Sequence, residues 1–522
     1  MRIHRFHGGL KLEGRREDAL AHPIRECALP PRLAIPLATR GGEAAPVVAV
    51  GERVRRGQCI GETRDGGARV HASASGTVVA VEPREVAAAH AGTAVCVVIE
   101  PDGGSDPWLR LPALADWRGA ARAILLARIR DAGIAGLGGA AFPADIKLAA
   151  PVQTLILNGT ECEPGISCDH ALLVERAGEV VQGAALLARI AGAQRTFIAI
   201  EDSMPRARAA LERALAAHPF DGAVLAEVPT RYPQGGERQL IQALTGREVP
   251  ARGLPRDIGV LCHNVGTAAA AWRAVVHGEA QTSRIVSVNG VGVARPGNYE
   301  VAFGTPVSWL IGQAGGYTQH AARLVVGGPM MGLALAHDEV PVDAGCNAIQ
   351  VLGDAETRPP APEVPCIRCG ECARVCPAQL LPQQLFAYLV QEDWPRVQRH
   401  RLDACIECGC CAEVCPSQIP LVAWYRWGKA AQREQAQDRA NADAARARFE
   451  ARDARLRRER DERDGRRGAA ANATSATDAP AVGVETGAPS ITRADVLAAI
   501  ARSRARREAR HPPHHDGRGG KP

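Results

Sequence analysis

The sequence predicts a multidomain α/β protein. It has a β-rich start, an alternating region built on a parallel sheet, a second small β module, a cysteine-rich module and a charged helical or disordered tail. Three observations carry this. Strand-period and helix-period apolar runs alternate through 154–228, short Gly- and Pro-punctuated strands fill 1–105 and 283–340, and one cysteine phrase occurs twice between Cys366 and Pro416. A chain of 522 residues has room for about three or four domains.

Within residues 1–105, the stretches Val50–Gln58 and Val70–Val78 resemble the barrel-sandwich fold of lipoyl and biotinyl carrier domains. Such carriers attach their prosthetic group to a lysine at a hairpin tip. None stands in this stretch, so an unmodified structural or docking barrel is expected.

Residues 117–275 open on a helical run, Ala120–Arg130, followed by the Gly-rich loop Gly133–Pro143 with Lys147 just beyond. Strands are expected at Thr154–Leu157, Thr196–Ile200 and Ala223–Val228, with one long helix over about 170–191 and another over about 205–217. Strands joined by helices argue for a parallel sheet with right-handed crossovers, and ligands in such sheets gather beyond the carboxyl ends of the strands. Asn158 to Glu163, Glu201–Asp202 and Pro229 to Glu237 stand at those ends. The loop is not a dinucleotide fingerprint, because it follows a helix and lacks the G-x-G-x-x-G frame. Glycine still lets backbone approach a planar or phosphorylated ligand closely, and Lys147 is a point charge suited to phosphate.

Residues 283–340 return to short strands and resemble the soluble-ligand-binding β-grasp module. Asp354–Pro365 reads as a Pro-rich linker, and the cysteine module is expected over 360–425. In the tail, 430–522, residues 430–467 suit a solvated helix, 468–489 a disordered linker, and Thr492 caps an Arg-rich helix reaching about Arg510.

The cysteine runs are Cys366-x2-Cys369-x2-Cys372-x3-Cys376-Pro377 and Cys405-x2-Cys408-x2-Cys411-x3-Cys415-Pro416. This is the bacterial two-cluster ferredoxin spacing, in which the fourth cysteine of each run ligates the other cluster. One [4Fe-4S] cluster is therefore expected on Cys366, Cys369, Cys372 and Cys415, and a second on Cys405, Cys408, Cys411 and Cys376. Zinc knuckles would want paired C-x2-C ligands instead. Cys410 falls outside the spacing.

Eight of the sixteen cysteines are thus claimed, and the other eight lack framework spacing, which fits a reducing compartment. Aromatics make up 4% of the chain and much of the arginine lies in the tail, so no nucleic-acid partner is expected despite the net charge of +6. Met1–Gly9 contains no apolar signal core, and nowhere are there eighteen consecutive apolar residues; neither export nor a transmembrane segment is expected. Lysine occurs only at Lys11, Lys147, Lys429 and Lys521, so each is a candidate for a role that arginine does not fill.

Four further motifs resemble the 51 kDa NADH-binding flavoprotein subunit of respiratory complex I. They are Gly136, Gly138, Gly139 and Phe142 through Lys147; Asn158, Glu161 and Glu163 through Asp169; Tyr232 with Gly235 to Glu237; and Asn264 to Thr267. Together with the barrel, β-grasp and two-cluster modules, the chain over about 1–430 resembles the RnfC family, the C subunits of Rnf-type ion-translocating electron transport complexes. The resemblance implies that Gly136, Gly138, Gly139, Lys147, Asn158, Glu161 and Asn264 line FMN, with Lys147 near its phosphate. It also implies that Glu163 and Glu237 lie on the nicotinamide side as catalytic residues, with Phe142 as a stacking surface. Thr160, His170 and Gly236 depart from that pattern, where Asp, Arg and Glu are usual.

The implied function is electron transfer between NAD(H) and a ferredoxin-like or other redox partner through FMN and two [4Fe-4S] clusters, coupled to ion translocation. The chain would sit peripherally on the cytoplasmic side of a bacterial inner membrane, held by integral and iron-sulfur subunits of the same complex. A soluble NADH oxidoreductase and a non-catalytic iron-sulfur scaffold are the rival expectations.

Overall fold

The computed structural model describes residues 2–14, 16–39, 42–63, 69–87, 92–104, 106–357 and 362–474. Residues up to Glu434 form one compact unit, and Gln435 begins a second. In the first unit, strands β1 (Leu33–Pro36), β2 (Gly76–Val86) and β3 (Gly92–Pro101) form an antiparallel sheet with β3 in the middle. Leu33, Ile35, Val78, Val97 and Ile99 fill the barrel core.

Among the described residues, those before Leu33 do not pair with this sheet. Leu10 bridges Tyr232, and Arg25–Glu26 add a short parallel strand to the later β-grasp sheet. The first segment is a strap: His4 donates to the Ala243 carbonyl at 2.8 Å, Gly9 to Val375 at 2.8 Å, and Leu10 to Tyr232 at 2.7 Å.

Next come α1 (Arg122–Asp131), α2 (Ala144–Leu148), β4 (Thr154–Asn158), α3 (Cys168–Glu175), α4 (Ala177–Ala191), β5 (Arg195–Glu201), α5 (Pro205–Ala217), β6 (Ala223–Val228), α6 (Glu237–Thr245), β7 (Val260–Asn264) and α7 (Val265–Val276). The sheet runs β6-β5-β4-β7 and every pairing is parallel, as the alternation of periods predicts. Leu155, Leu157, Ile198 and Ile200 pack into one core while Ile156, Phe197 and Ala199 pack into another, so both faces of the sheet are covered. On α4, Gly183 lets α7 approach so closely that a Cβ there would sit 2.1 Å from the Ala268 carbonyl oxygen.

The single helix expected over 170–191 is two. It breaks at Arg176, where the chain turns at φ −130° and the guanidinium reaches Glu300 at 2.6 Å. Periodicity does not register one bent residue between two apolar faces.

The β-grasp module contains β8 (Ser283–Asn289), β9 (Gly297–Ala302), α8 (Val307–Gln313), β10 (Ala321–Val326) and β11 (Ala348–Gly353). Strand β11 lies between β8 and β10, so the module extends past the 340 boundary that the sequence suggests. Its apolar Ile349 and Val351 belong to the same core as Val286 and Val288.

The cysteine module carries α9 (Glu371–Val375), α10 (Pro382–Val390) and α11 (Cys410–Glu413), and then α12 (Leu421–Thr474). Helix α12 begins inside the module rather than at 430, because Leu421 and Tyr425, one turn apart, pack with Leu385 and Leu389; the Tyr425 hydroxyl donates to Pro382 at 2.8 Å.

In the second unit the helix is almost wholly exposed and laced by pairs such as Asp453–Arg457 at 2.9 Å. It continues through 468–474, where a linker is expected. The rest of that linker and the Thr492 cap lie outside the described residues. Among the described residues, no helix is long and apolar enough to cross a membrane.

Candidate functional site

The parallel sheet gathers its polar side chains at the carboxyl ends of β4 and β7. Asn158, closing β4, donates to the Gly235 carbonyl at 2.9 Å and accepts from the Thr160 amide and hydroxyl at 3.0 and 2.5 Å. Asn264, closing β7, caps α7 by accepting from Gly266 at 2.8 Å and donates to Asp169 at 2.5 Å. A Cβ on Gly138 would lie 3.4 Å from that of Asn264, so the Gly-rich loop rests on this asparagine.

The loop closes on itself: Gly136 donates to Phe142 at 2.9 Å and Ala141 to Gly136 at 3.1 Å. Gly139, at φ +87°, has nothing within 4 Å of where its Cβ would be, and Phe142 stands at the lip, 38% exposed. The result is bare backbone facing open space, the surface a planar ring needs.

Lys147 projects from α2 to the same end. Its Nζ donates to Glu237 at 2.5 Å, on the first residue of α6, and to the Cys262 carbonyl at 2.6 Å. Burial, and then the Lys147 charge, push neighbouring His263 down to about 3, so it stays neutral. The structure therefore brings Gly138, Asn264, Lys147, Glu237 and Asn158 together around one sheet end. A bare loop, a cation, the Asn158 amide at a strand end and the helix start capped by Asn264 suit a phosphorylated flavin.

Glu161 faces inward: it accepts from the Asp169 and His170 amides, both at 2.8 Å, and from the Cys168 thiol at 3.3 Å. Burial, followed by the Glu161 charge, raises the Asp169 carboxyl well above the ordinary carboxylate range. An acid raised in this way keeps in the folded state a proton that the unfolded chain has lost, so its contribution to stability declines as pH rises from about 4 toward neutrality. We expect the melting temperature of Asp169→Asn relative to the wild type to climb between pH 5 and pH 8, by about 2–4 °C for about 1 kcal/mol of relief. Equal melting at both pH values would refute this.

The three departures have local partners. Thr160 is held by Asn158. His170 is pushed down to about 4 by burial and then by Arg16 and Arg206. At Gly236, a Cβ would meet Gln239 Oε1 at 2.4 Å.

Glu163 does not join the Lys147–Glu237 group. Its carboxylate accepts from Met330 and Met331 in the turn after β10.

In the cysteine module two cavities stand side by side. One is lined by Cys366, Cys369, Cys372 and Cys415, and the other by Cys376, Cys405, Cys408 and Cys411. Each takes three cysteines of one run and the fourth of the other, a donor set that fits a [4Fe-4S] cube. The two runs repeat even their backbone strain, with Arg368 and Glu407 both left-handed at φ 58° and 57°. Cys410 lines neither cavity and packs beside Tyr232.

The cavities differ in exposure. Cys366 and Cys369 are exposed, whereas Cys376, Cys408 and Cys411 are buried and Cys405 is half-buried. The inner cavity faces the sheet end: the Tyr232 hydroxyl donates to the Cys408 carbonyl at 2.6 Å, and His7 of the strap bonds the Cys376 carbonyl at 3.0 Å. Lys429 donates to the Cys405 carbonyl at 2.6 Å and to Glu407 at 2.8 Å. The rarity of lysine points to Lys429 and a motif points to Tyr232, though not to its reach toward Cys408; nothing local points to His7.

Four families match the chain in order: the RnfC barrel sandwich hybrid domain over 4–104, the Nuo51 FMN-binding domain over 129–273, the SLBB domain over 285–334 and the 4Fe-4S dicluster domain over 365–419. The C subunit of an ion-translocating oxidoreductase complex from Pseudomonas aeruginosa is 46% identical over 515 residues, covering 97% of this chain and 66% of that one. Its namesake in Salmonella arizonae is 42% identical over 454 residues, covering 86% of this chain and 67% of that one. The chain belongs to this RnfC family. It spans about two thirds of the length of these relatives. A solved NAD+-reducing [NiFe]-hydrogenase in the H2-reduced state aligns with a TM-score of 0.43 at 23% identity, over 57% of this chain and 60% of that chain. The matched domains and the donor sets above make FMN and two [4Fe-4S] clusters the cofactors of the chain.

Proposed function

We propose that the chain is the peripheral electron-transfer subunit of a membrane complex, passing electrons between NAD(H) and a ferredoxin-like or other redox partner and coupling this to ion translocation. The observation that carries the reading is the pair of four-cysteine cavities, the inner one fastened to the flavin-type sheet end through Tyr232 and Cys408. FMN supplies the step between two-electron and one-electron chemistry. The chain's own part is to hold and insulate. Gly136, Gly138 and Gly139 offer bare backbone, Lys147 takes the phosphate, Asn158 and Asn264 orient the ring, and Glu161 braces the segment beneath them. Glu237 and Phe142 face the nicotinamide side.

In this reading Cys376, Cys405, Cys408 and Cys411 would hold the cluster on the flavin side, and Cys366, Cys369, Cys372 and Cys415 the one on the partner side, each supplying one-electron transfer when bound. Around the exposed Cys366 and Cys369, Ile367 is 67% exposed and Val364 47% exposed, an apolar rim suited to an interface that excludes water. The partners are integral and iron-sulfur subunits at the cytoplasmic side of the bacterial inner membrane. Ile367→Asp should slow electron passage to membrane-bound partners about tenfold or more while leaving NADH-driven reduction of a small soluble acceptor intact. Equal rates with the membrane partners would remove this rim from the interface.

The reading is tested by anaerobic purification with flavin and iron analysis, then NADH titration and pull-down from membranes. Iron without flavin would favour a scaffold. Flavin and iron with no membrane partner would favour a soluble oxidoreductase.

A further inference from the structure

Glu163 follows the strand-end motif, and the family resemblance assigns it to nicotinamide. Its surroundings give it a different task. One carboxylate oxygen accepts both the Met330 and Met331 amides at 2.9 Å. The turn is shaped around this group, since a Cβ on Gly328 would fall 1.7 Å from Glu163 Cγ.

The turn then reaches the inner cysteine loop by two routes. Met330 covers Gly409, whose Cβ would lie 3.0 Å from the Met330 carbonyl oxygen and 3.3 Å from its Cε. The Met331 carbonyl accepts from Arg426 at 3.3 Å, and Arg426 is paired at 3.1 Å with Glu407, which stands between Cys405 and Cys408. Beside Glu163, the Cys162 sulfur accepts from the Gly235 amide at 3.2 Å, and Tyr232 reaches the Cys408 carbonyl at 2.6 Å. The flavin-type segment, the β-grasp turn and the inner cysteine loop are thus one connected hydrogen-bonded body.

We propose that Glu163 is a positioning residue: through the Met330–Met331 turn it fixes the inner cluster's loop against the flavin segment and so sets the gap that electrons cross, rather than contacting the nicotinamide. The proposal rests on the flavin and cluster reading above. Electron transfer between buried groups falls steeply with separation, so a loosened turn slows that one step and no other.

The test uses the full chain, purified anaerobically with flavin and clusters, as wild type, Glu163→Gln, Glu163→Ala and Gly328→Ala. The glutamine carbonyl can accept the same two amides without the charge. Hydrogen exchange over 327–332 reads the clamp without any turnover. Stopped-flow bleaching after mixing with NADH reads flavin and cluster reduction separately.

Glu163→Gln should keep the wild-type exchange protection and cluster rate within about twofold, since it keeps the acceptor. Glu163→Ala and Gly328→Ala should both lose about tenfold or more in protection and in cluster reduction, with the NADH KM and flavin reduction unchanged. Gly328→Ala leaves the carboxylate present, so it keeps the question open to measurement even where Glu163→Ala fails to fold. If Glu163→Gln raises the NADH KM or slows flavin reduction, the carboxylate acts on the nicotinamide and the proposal fails. It also fails if both alanine variants keep wild-type protection and cluster rates. A wild type whose flavin NADH does not reduce would refute the NADH reading alone; photoreduction of the flavin would then deliver electrons for the cluster measurement.

Discussion

Cys376→Ala should abolish the inner cluster and spare the outer one. In sequence, Cys376 closes the run Cys366, Cys369 and Cys372, and a local ligand set would take its loss there. In space it lines the cavity of Cys405, Cys408 and Cys411, while Cys415 completes the other. Iron should fall from about eight to about four atoms per chain, and the remaining paramagnetic signal should be that of the cluster on Cys366, Cys369, Cys372 and Cys415. Because the inner cavity faces the sheet end through Tyr232, electron passage from NADH to any one-electron partner should drop by about a hundredfold or more, with flavin reduction unaffected. Cys415→Ala is the matched control: it should remove the outer cluster and leave NADH able to reduce the inner one. If Cys376→Ala disturbed only the signal of the outer set, the crossed arrangement would be wrong.

The legible parts of this protein are those in which sequence neighbours share one structural period. Leu155 and Leu157 alternate with Ile156, which is enough to give a strand buried on both faces, and the intervening helices then require parallel pairing. The cysteine spacing carries its own crossed wiring, because three thiolates on a tight loop leave one iron without a ligand. Hidden from the sequence are the contacts that weld the modules. His7 meets Cys376 across 369 residues, Tyr232 meets Cys408 across 176, and Glu163 meets Met330 across 167. No periodicity or motif spacing encodes pairings at that range. A single strap residue such as Leu10 looks like any apolar residue near a terminus until Tyr232 is seen opposite it. Glu163 shows the same limit at the site. Its motif names a carboxylate at a strand end, but only the fold shows that the amides facing it belong to another module.

Lys147→Ala should strip flavin from the protein while barely changing its stability. Lys147 Nζ contacts the Glu237 carboxylate at 2.5 Å and the Cys262 carbonyl at 2.6 Å, with side-chain exposures of 31% for the lysine and 38% for the glutamate. A pair this open to solvent contributes about 0–1 kcal/mol to folding, so the melting temperature of the flavin-free protein should move by no more than about 2–4 °C. A phosphate is a stronger partner than either present one. A charge-assisted contact to it contributes about 1.5–3 kcal/mol, which is roughly ten- to a hundredfold in flavin affinity. The variant should therefore purify with its iron-sulfur absorbance intact and little flavin, and NADH oxidation should recover as FMN is added in excess. Lys147→Arg should rescue only in part, because a planar fork on a longer stem does not occupy the point at which the ammonium meets both Glu237 and Cys262. Glu237→Gln separates the two roles of this corner: it frees the lysine from its present partner, so flavin affinity should hold or rise while any contribution of the carboxylate to NADH oxidation is lost. A Lys147→Ala protein that retains stoichiometric flavin at wild-type affinity would move the phosphate away from this loop, and with it the assignment of the Gly-rich segment.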